Sequence, residues 1–215
     1  MSRRKISIAF GGVVDAVGSL DDSDATTTLI LDATEALLRE LGLRRWSLDD
    51  VAERAGIGRT SIYRHFDSRD DLVHAVLARE LRTTLDEIGA AAEQHDSIED
   101  RVVAGAALSL GRLRHSVVER LLQTDPDTFL PFLTLRAGPL LALARTTLAA
   151  QLRLLEPGLE PAHAEEVAEV AARLGLSFVL TRDTAFPLDD PRAASAAIER
   201  LVRPVLRTLT TTDHR

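Results

Sequence analysis

Apolar residues recur at intervals of three and four along most of this 215-residue chain, and no stretch shows the two-residue alternation of a half-buried strand. The pattern predicts an all-α protein. Leu29, Ile30, Ala33, Leu37 and Leu41 mark a first helix, which Ser23 or Asp24 can cap and Gly42 ends. A second, short helix opens at Ser47. Its hydroxyl can accept from the free amides of the first turn, and Asp50 completes an acidic capping box. Val51, Ala52 and Ala55 lie on one side of this helix, and the small side chain of Ala52 lets a neighbouring helix cross closely. Gly56 stands where the chain must reverse, a position that often requires positive φ. A third helix begins near Gly58 or Arg59, with Ile62 and Phe66 pointing back at the second.

All eight prolines fall at or after Pro126, so the first 125 residues can run as helices without breaks. Leu72, Val76, Leu77, Leu81 and Leu85 carry the helical period from Arg69 to about Gln94 in one long helix. Another is expected from Asp96 or Ser97 to about His115. After it come helices over Val117 to Gln123, Asp127 to Leu133, and Pro139 to Leu155 with proline in the first turn. Pro161 to Thr181 and Pro191 to about Leu209 form the last two. The chain thus divides into an amino-terminal arm over residues 1–22, a three-helix domain over 23–70 and a larger helical domain over 71–215.

Residues 47 to 69 have the spacing of a helix-turn-helix. The outward faces of its second helix carry Arg59, Thr60, Ser61, Tyr63, Arg64 and His65, all hydrogen-bond donors. Taken alone, this stretch also reads as an ordinary helical hairpin with a solvated charged face. A longer set of residues separates the two readings: Ile30-Leu-Asp-Ala33, Leu37-Leu-Arg-Glu40-Leu-Gly42, Ser47-Leu-Asp-Asp-Val-Ala52, Ala55-Gly56-Ile57, Ile62-Tyr63-Arg64-His65-Phe66 and Ser68-Arg69-Asp-Asp-Leu72. In order and without gaps, this run resembles the amino-terminal domain of the TetR family of bacterial transcriptional regulators. Three positions depart from that pattern. Trp46 stands where threonine is usual, Gly58 replaces a common serine cap, and Thr60 occupies a site often held by glycine or proline. Without a side chain at Gly58, one possible phosphate contact is lost.

The resemblance implies a ligand-responsive homodimeric repressor of double-stranded DNA. Arg59 and Arg64 are the candidates for base edges, since a guanidinium can pair bidentately with guanine O6 and N7. Thr60, Ser61 and His65 are expected to read bases or phosphates. Tyr63 and Arg69 should hold the DNA backbone, with Ser47 and its helix start taking another phosphate. In the family, effector binding shifts the long helix that here starts at Arg69 and so changes the separation of the two reading heads.

A net charge of −7 looks unfavourable for a DNA binder, because nonspecific affinity comes from neutralising phosphates. Its distribution matters more than its sum. Between Ile57 and Arg69 three arginines face one acid, Asp67, for a local charge of +2. The acidic surplus lies elsewhere, notably at Asp21, Asp22 and Asp24 and near Glu165 and Asp189. A small basic footprint on an acidic body fits a protein that relies on docking geometry. Arg3, Arg4 and Lys5 can add to it.

The arm faintly resembles a secretory signal, but Asp15 interrupts its apolar run and no Ala-x-Ala site follows. No stretch of 18 uninterrupted apolar residues suggests a membrane span, and a cytoplasmic protein is expected. Cysteine is absent, which removes disulfides and thiolate metal sites.

The last two helices carry stripes of small and apolar residues: Ala164, Val167, Ala168, Ala171, Leu174 and Phe178, then Ala194, Ala197, Ile198, Leu201, Val202 and Val205. Together they are wider than one intramolecular contact requires, so residues 161–209 are the expected homodimer surface. The resemblance implies a four-helix bundle with the twin subunit there. It also implies that the middle helices enclose a small, largely hydrophobic effector, for which Phe129, Phe132, Arg136 and Phe178 are the candidate ligand-binding residues.

Catalysis finds no constellation. The histidines at 65, 74, 95, 115, 163 and 214 include no pair three or four apart, so neither a metal nor another cofactor is expected. Glu160-Pro-Ala-His163 is the sole Glu-x-x-His, at a helix start, whereas a di-iron bundle needs two inside helices. A helical adaptor that has lost DNA binding is the remaining alternative.

Overall fold

A computed structural model describes residues 25–113, 116–181, 183–185, 190, 192–193 and 195–200. The amino-terminal arm, Ser23, Asp24 and most of the last expected helix lie outside them. The described residues contain no strand. Helices run over Ala25–Leu41 (α1), Leu48–Ala55 (α2), Arg59–His65 (α3), Arg69–Glu93 (α4), Ile98–Leu113 (α5), Val117–Thr124 (α6), Pro126–Leu133 (α7), Gly138–Leu155 (α8) and Pro161–Leu180 (α9). Residues 195–200 are helical as well.

Serine starts four of these helices by the same chemistry. Ser47, extended at φ −124° and ψ 171°, accepts the Asp50 N–H at 3.3 Å, and Asp50 Oδ2 accepts the Ser47 N–H at 2.7 Å. The Ser47 hydroxyl foremost, and its amide next, hold the Asp50 carboxyl below its ordinary range. Ser68 and Ser97 repeat the pairing at α4 and α5, accepting the Asp71 and Asp100 amides at 3.2 and 3.1 Å. At α6, Ser116 accepts the Glu119 N–H at 3.1 Å. Each cap satisfies an amide that the helix itself leaves unpaired.

The described residues divide into two compact units. One comprises those up to Arg82 together with Ser116–Leu143, and the other comprises 83–113 with those from Ala144 onward. In the first unit α1 packs on both α2 and α6. Its core includes Ile30, Leu31, Leu38, Val51, Ile62, Leu72, Val76, Val117, Leu121 and Phe129, all buried. Arg79 of α4 spans two acids on α1, at 2.6 Å from Asp32 and 2.8 Å from Glu35.

The turn after α1 is bolted to the break between α6 and α7. Gly42 is left-handed at φ 72°, which leaves the Leu43 N–H outside the helix, and Asp125 Oδ2 accepts it at 2.8 Å. Asp125 ends α6 and precedes Pro126, whose missing N–H makes the first position of α7 tolerable. Two further bonds flank this junction: Arg44 Nε donates to Thr128 Oγ1 at 2.7 Å, and Arg120 Nε to the Arg39 carbonyl at 3.3 Å. A Cβ at Gly42 would fall 2.1 Å from Asp125 Oδ2. An alanine there would have to displace the Asp125 carboxylate as well as strain φ.

In the second unit, Ala149, Ala164 and Ala168 form a small core under Leu148, Leu152 and Leu159. Gln151 of α8 donates to the Leu85 carbonyl at 2.8 Å, passing where a Cβ on Gly89 would lie. The apolar stripe of α9 is split. Ala164 and Ala168 are fully buried, whereas Val167, Val170 and Leu174 are 41, 58 and 58% exposed.

Gly42 and Gly56 provide a test of the bolt, because both have positive φ but only at Gly42 would an added methyl group meet a neighbour within 4 Å. Gly56→Ala should cost about 1–2 kcal/mol from φ alone. Gly42→Ala should cost about 1–3 kcal/mol more, since the methyl displaces the Asp125 acceptor and orphans the Leu43 amide. Urea midpoints at unchanged m measure both, and equal losses would show that the Asp125 contact contributes nothing.

Candidate nucleic-acid interface

The hairpin folds as its sequence requires. Gly56 ends α2 at φ 68° and ψ 29°, the Ile57 N–H returns to the Ala52 carbonyl at 3.1 Å, and α3 starts after an extended Gly58. No side chain caps α3 at Gly58. Ile62 is fully buried and Phe66, just past the end of α3, is 7% exposed. Val51 and Ala52 bury the facing side of α2. With Ile62 inward, Arg59, Thr60, Tyr63 and Arg64 are left exposed and Ser61 and His65 half-buried.

The basic residues of this face stand in three different states. Arg59 is tethered: Nη1 donates to Asp49 Oδ2 at 2.8 Å and Nη2 to the Tyr63 hydroxyl at 3.2 Å, with the guanidinium 5.6 Å from the Tyr63 ring centroid. The Tyr63 hydroxyl foremost, and then the Asp49 charge, push its pKa further upward. Arg64 is exposed and makes no ion pair among the described residues. Arg69 lies over Trp46, its Cζ 4.2 Å from the ring centroid. Burial lowers its pKa, and its Nε and Nη2 are enclosed without an acceptor among the described residues. Nη1 is its one guanidinium nitrogen not so enclosed.

His65 is not simply presented outward, since its Nδ1 sits 3.2 Å from Thr27 Oγ1 of α1. Ser47 is exposed, but its hydroxyl proton goes to Asp50 Oδ2 at 2.7 Å. Two partners of the face, Asp49 and Trp46, escape sequence reasoning. Trp46 is conspicuous only as a departure from threonine. Asp49 carries no local signal, because its partner lies ten residues away across a turn.

The candidate effector residues fall in both units. Phe129 and Phe132 are buried in the first unit, with ring centroids 6.2 Å apart. Arg136 lies over the Phe132 ring at 4.6 Å and pairs with Asp70 at 2.6 Å, so its charge already has a carboxylate partner. His74, also buried there, stands 4.9 Å from Phe132 with Nδ1 2.9 Å from the Asp70 carbonyl; burial is the main cause of its lowered pKa. Phe178 belongs to the second unit and is half-buried. Among the described residues no cluster of three acidic or histidine side chains could hold a metal, and no helix is long and apolar enough to cross a membrane.

Residues 30–76 match the "Bacterial regulatory proteins, tetR family" and residues 104–204 match the "Bacterial Tetracyclin repressor, C-terminal domain". The HTH-type transcriptional regulator TtgR of Pseudomonas putida is 34% identical over 79 residues, 37% of each chain. The HTH-type transcriptional repressor KstR2 of Rhodococcus jostii is 42% identical over 50 residues, 23% of this chain and 24% of that one. The match thus spans well under half the length of these curated relatives. The crystal structure of the TetR family repressor AlkX from Dietzia sp. is similar over 84% of this chain and 97% of AlkX, with a TM-score of 0.69 and 26% identity. With residues 30–76 and 104–204 matching its amino- and carboxy-terminal domains in order, the chain belongs to the TetR family of bacterial transcriptional regulators.

Proposed function

We propose that this protein is a homodimeric repressor that reads a near-palindromic operator through α3 and leaves it when a small, largely hydrophobic effector binds. The observation that carries the reading is the division of α3 into an anchor and a face. Ile62 is fully buried, while Arg59, Thr60, Tyr63 and Arg64 stand outside on a helix narrow enough for the major groove. Arg59 and Arg64 are assigned to base edges, with Thr60, Ser61 and His65 reading bases or phosphates. Tyr63, Ser47 and the open edge of Arg69 are assigned to the backbone.

Pairing is supported by the exposed apolar ridge of α9. Val167, Val170 and Leu174 recur at helical spacing on one side, and the neighbouring Ala171 and Gly175 are small enough to let a twin helix approach. Two-fold pairing sets two copies of α3 about one turn of DNA apart, roughly 34 Å. AlkX is described as implicated in biodegradation of n-alkanes. That description favours a long aliphatic chain as effector class here, acting through the apolar middle helices. To release the operator, the effector must bind the spread dimer more tightly by about 1–3 kcal/mol or more.

Three outcomes are expected. In fluorescence anisotropy with the best duplex selected from a random-sequence pool, Arg59→Ala should lose about 1–3 kcal/mol and relax preference at one position per half-site. Arg69→Ala should weaken all duplexes alike and reduce the salt slope by about one. Equal losses on every sequence for both variants would remove Arg59 as a base reader. In sedimentation, the wild-type chain should run at twice its 23.4 kDa mass, and a Val170→Glu/Leu174→Glu variant should run as a folded monomer. A variant that stays dimeric would move the interface elsewhere. Finally, saturated fatty acids or n-alkanes should raise the melting temperature and release the duplex at the same concentrations. Stabilisation without release would make them mere occupants of the fold.

A further inference from the structure

We propose that Asp49 is a positioning residue that braces Arg59 for base reading and thereby sets the sequence specificity of the α3 face. The proposal rests on the DNA-reading role argued above, and it assigns a function to a carboxylate that the reading itself does not use.

An acid beside the reading helix is at first sight a liability, because it repels phosphates. Its placement suggests a use. Asp49 lies in the first turn of α2, where the helix dipole favours a carboxylate, and that turn is fixed by the reciprocal Ser47 and Asp50 bonds. Its Oδ2 takes one N–H from Arg59 Nη1 at 2.8 Å, while the Tyr63 hydroxyl faces Nη2 at 3.2 Å. Both terminal nitrogens are thus tied to rigid elements, one across the turn and one on α3 itself.

A guanidinium has five N–H donors, so two tethers leave three for a base. An untethered arginine on a seven-residue helix would sample many rotamers and find phosphates as readily as guanine. A braced one meets the base edge with its plane already oriented, so less conformational freedom is lost on specific binding. Arg64, exposed and without an ion pair among the described residues, has no such brace. Replacing Asp49 should therefore do two things at once. Specific affinity falls because the brace is lost, and nonspecific affinity holds or rises because a negative charge leaves the interface.

The test compares Asp49→Asn and Asp49→Ala, each alone and combined with Arg59→Ala. Each is measured on the duplex selected by the wild-type chain and on a scrambled duplex of equal base composition. Neither change touches the Ser47 and Asp50 cap, and circular dichroism checks the fold. Asp49→Ala should bind the selected duplex about two- to fivefold more weakly per half-site, the range expected for an exposed pair. It should bind the scrambled duplex equally or more tightly. Asp49→Asn keeps an acceptor for Nη1 without the charge, so it should retain more of the sequence preference than Asp49→Ala. In the Arg59→Ala background the effect on the selected duplex should vanish. Equal gains on both duplexes would mean that Asp49 acts only by charge repulsion and would overturn the proposal. A loss that persists without Arg59 would overturn it too. A wild-type chain with no affinity for any duplex would instead remove the DNA-reading role beneath it, a result visible before any variant is made.

Discussion

Seven residues of helix cannot stand alone in water, because nucleation costs more than one or two turns return. The face of α3 exists only because Ile62 is wholly buried and Phe66 nearly so, against a second helix whose Val51 and Ala52 are equally enclosed. Everything exposed on α3 is therefore oriented by what is hidden beneath it. The left-handed Gly56 sets the angle at which the chain turns from one helix to the next, and the Ser47 cap fixes where α2 begins. A polar residue at Ile62 would abolish the face without touching any outward residue.

The anchor is itself held from a distance. Asp125 pins the Leu43 amide from the break between α6 and α7, with Arg44 and Arg120 bonding on either side of it. The amino-terminal helices therefore pack in one compact unit with two helices that lie far along the chain. Any change in the angle between α6 and α7 acts on a charge-assisted hydrogen bond at the start of the α1 to α2 turn. Such a bond is costly to leave unmade, since a buried or half-buried amide without an acceptor loses about 1–3 kcal/mol. The long α4 is held to the same helices as well, since its Arg79 pairs with Asp32 and Glu35 of α1.

Local chemistry was the legible part of this sequence. Helix starts at Ser47 and Ser97, the stop at Gly42, the turn at Gly56 and the apolar period through Leu85 all depend on residues three or four apart, which the order of residues displays directly. The TetR-like run from Ile30 to Leu72 is of the same kind. What stayed hidden depends on pairs brought together by folding. Asp125 and Leu43 are 82 residues apart, and Arg136 and Asp70 are 66 apart. The local charge between Ile57 and Arg69 shows three arginines but not that one is tethered to Asp49 and another lies over Trp46. Likewise, a period of 3.6 cannot tell that Ala164 and Ala168 face their own core while Val170 and Leu174 face outward.

Amide hydrogen exchange of the full chain, with and without the selected duplex, tests the central claim most directly. Slowed exchange centred on residues 59–65 and the Ser47 turn on adding DNA, with α3 amides already protected in the free protein by burial of Ile62, is the predicted result. Slowed exchange elsewhere while residues 59–65 exchange as before would mean that DNA is held by another surface. It would then contradict the account of α3 as an anchored reading helix.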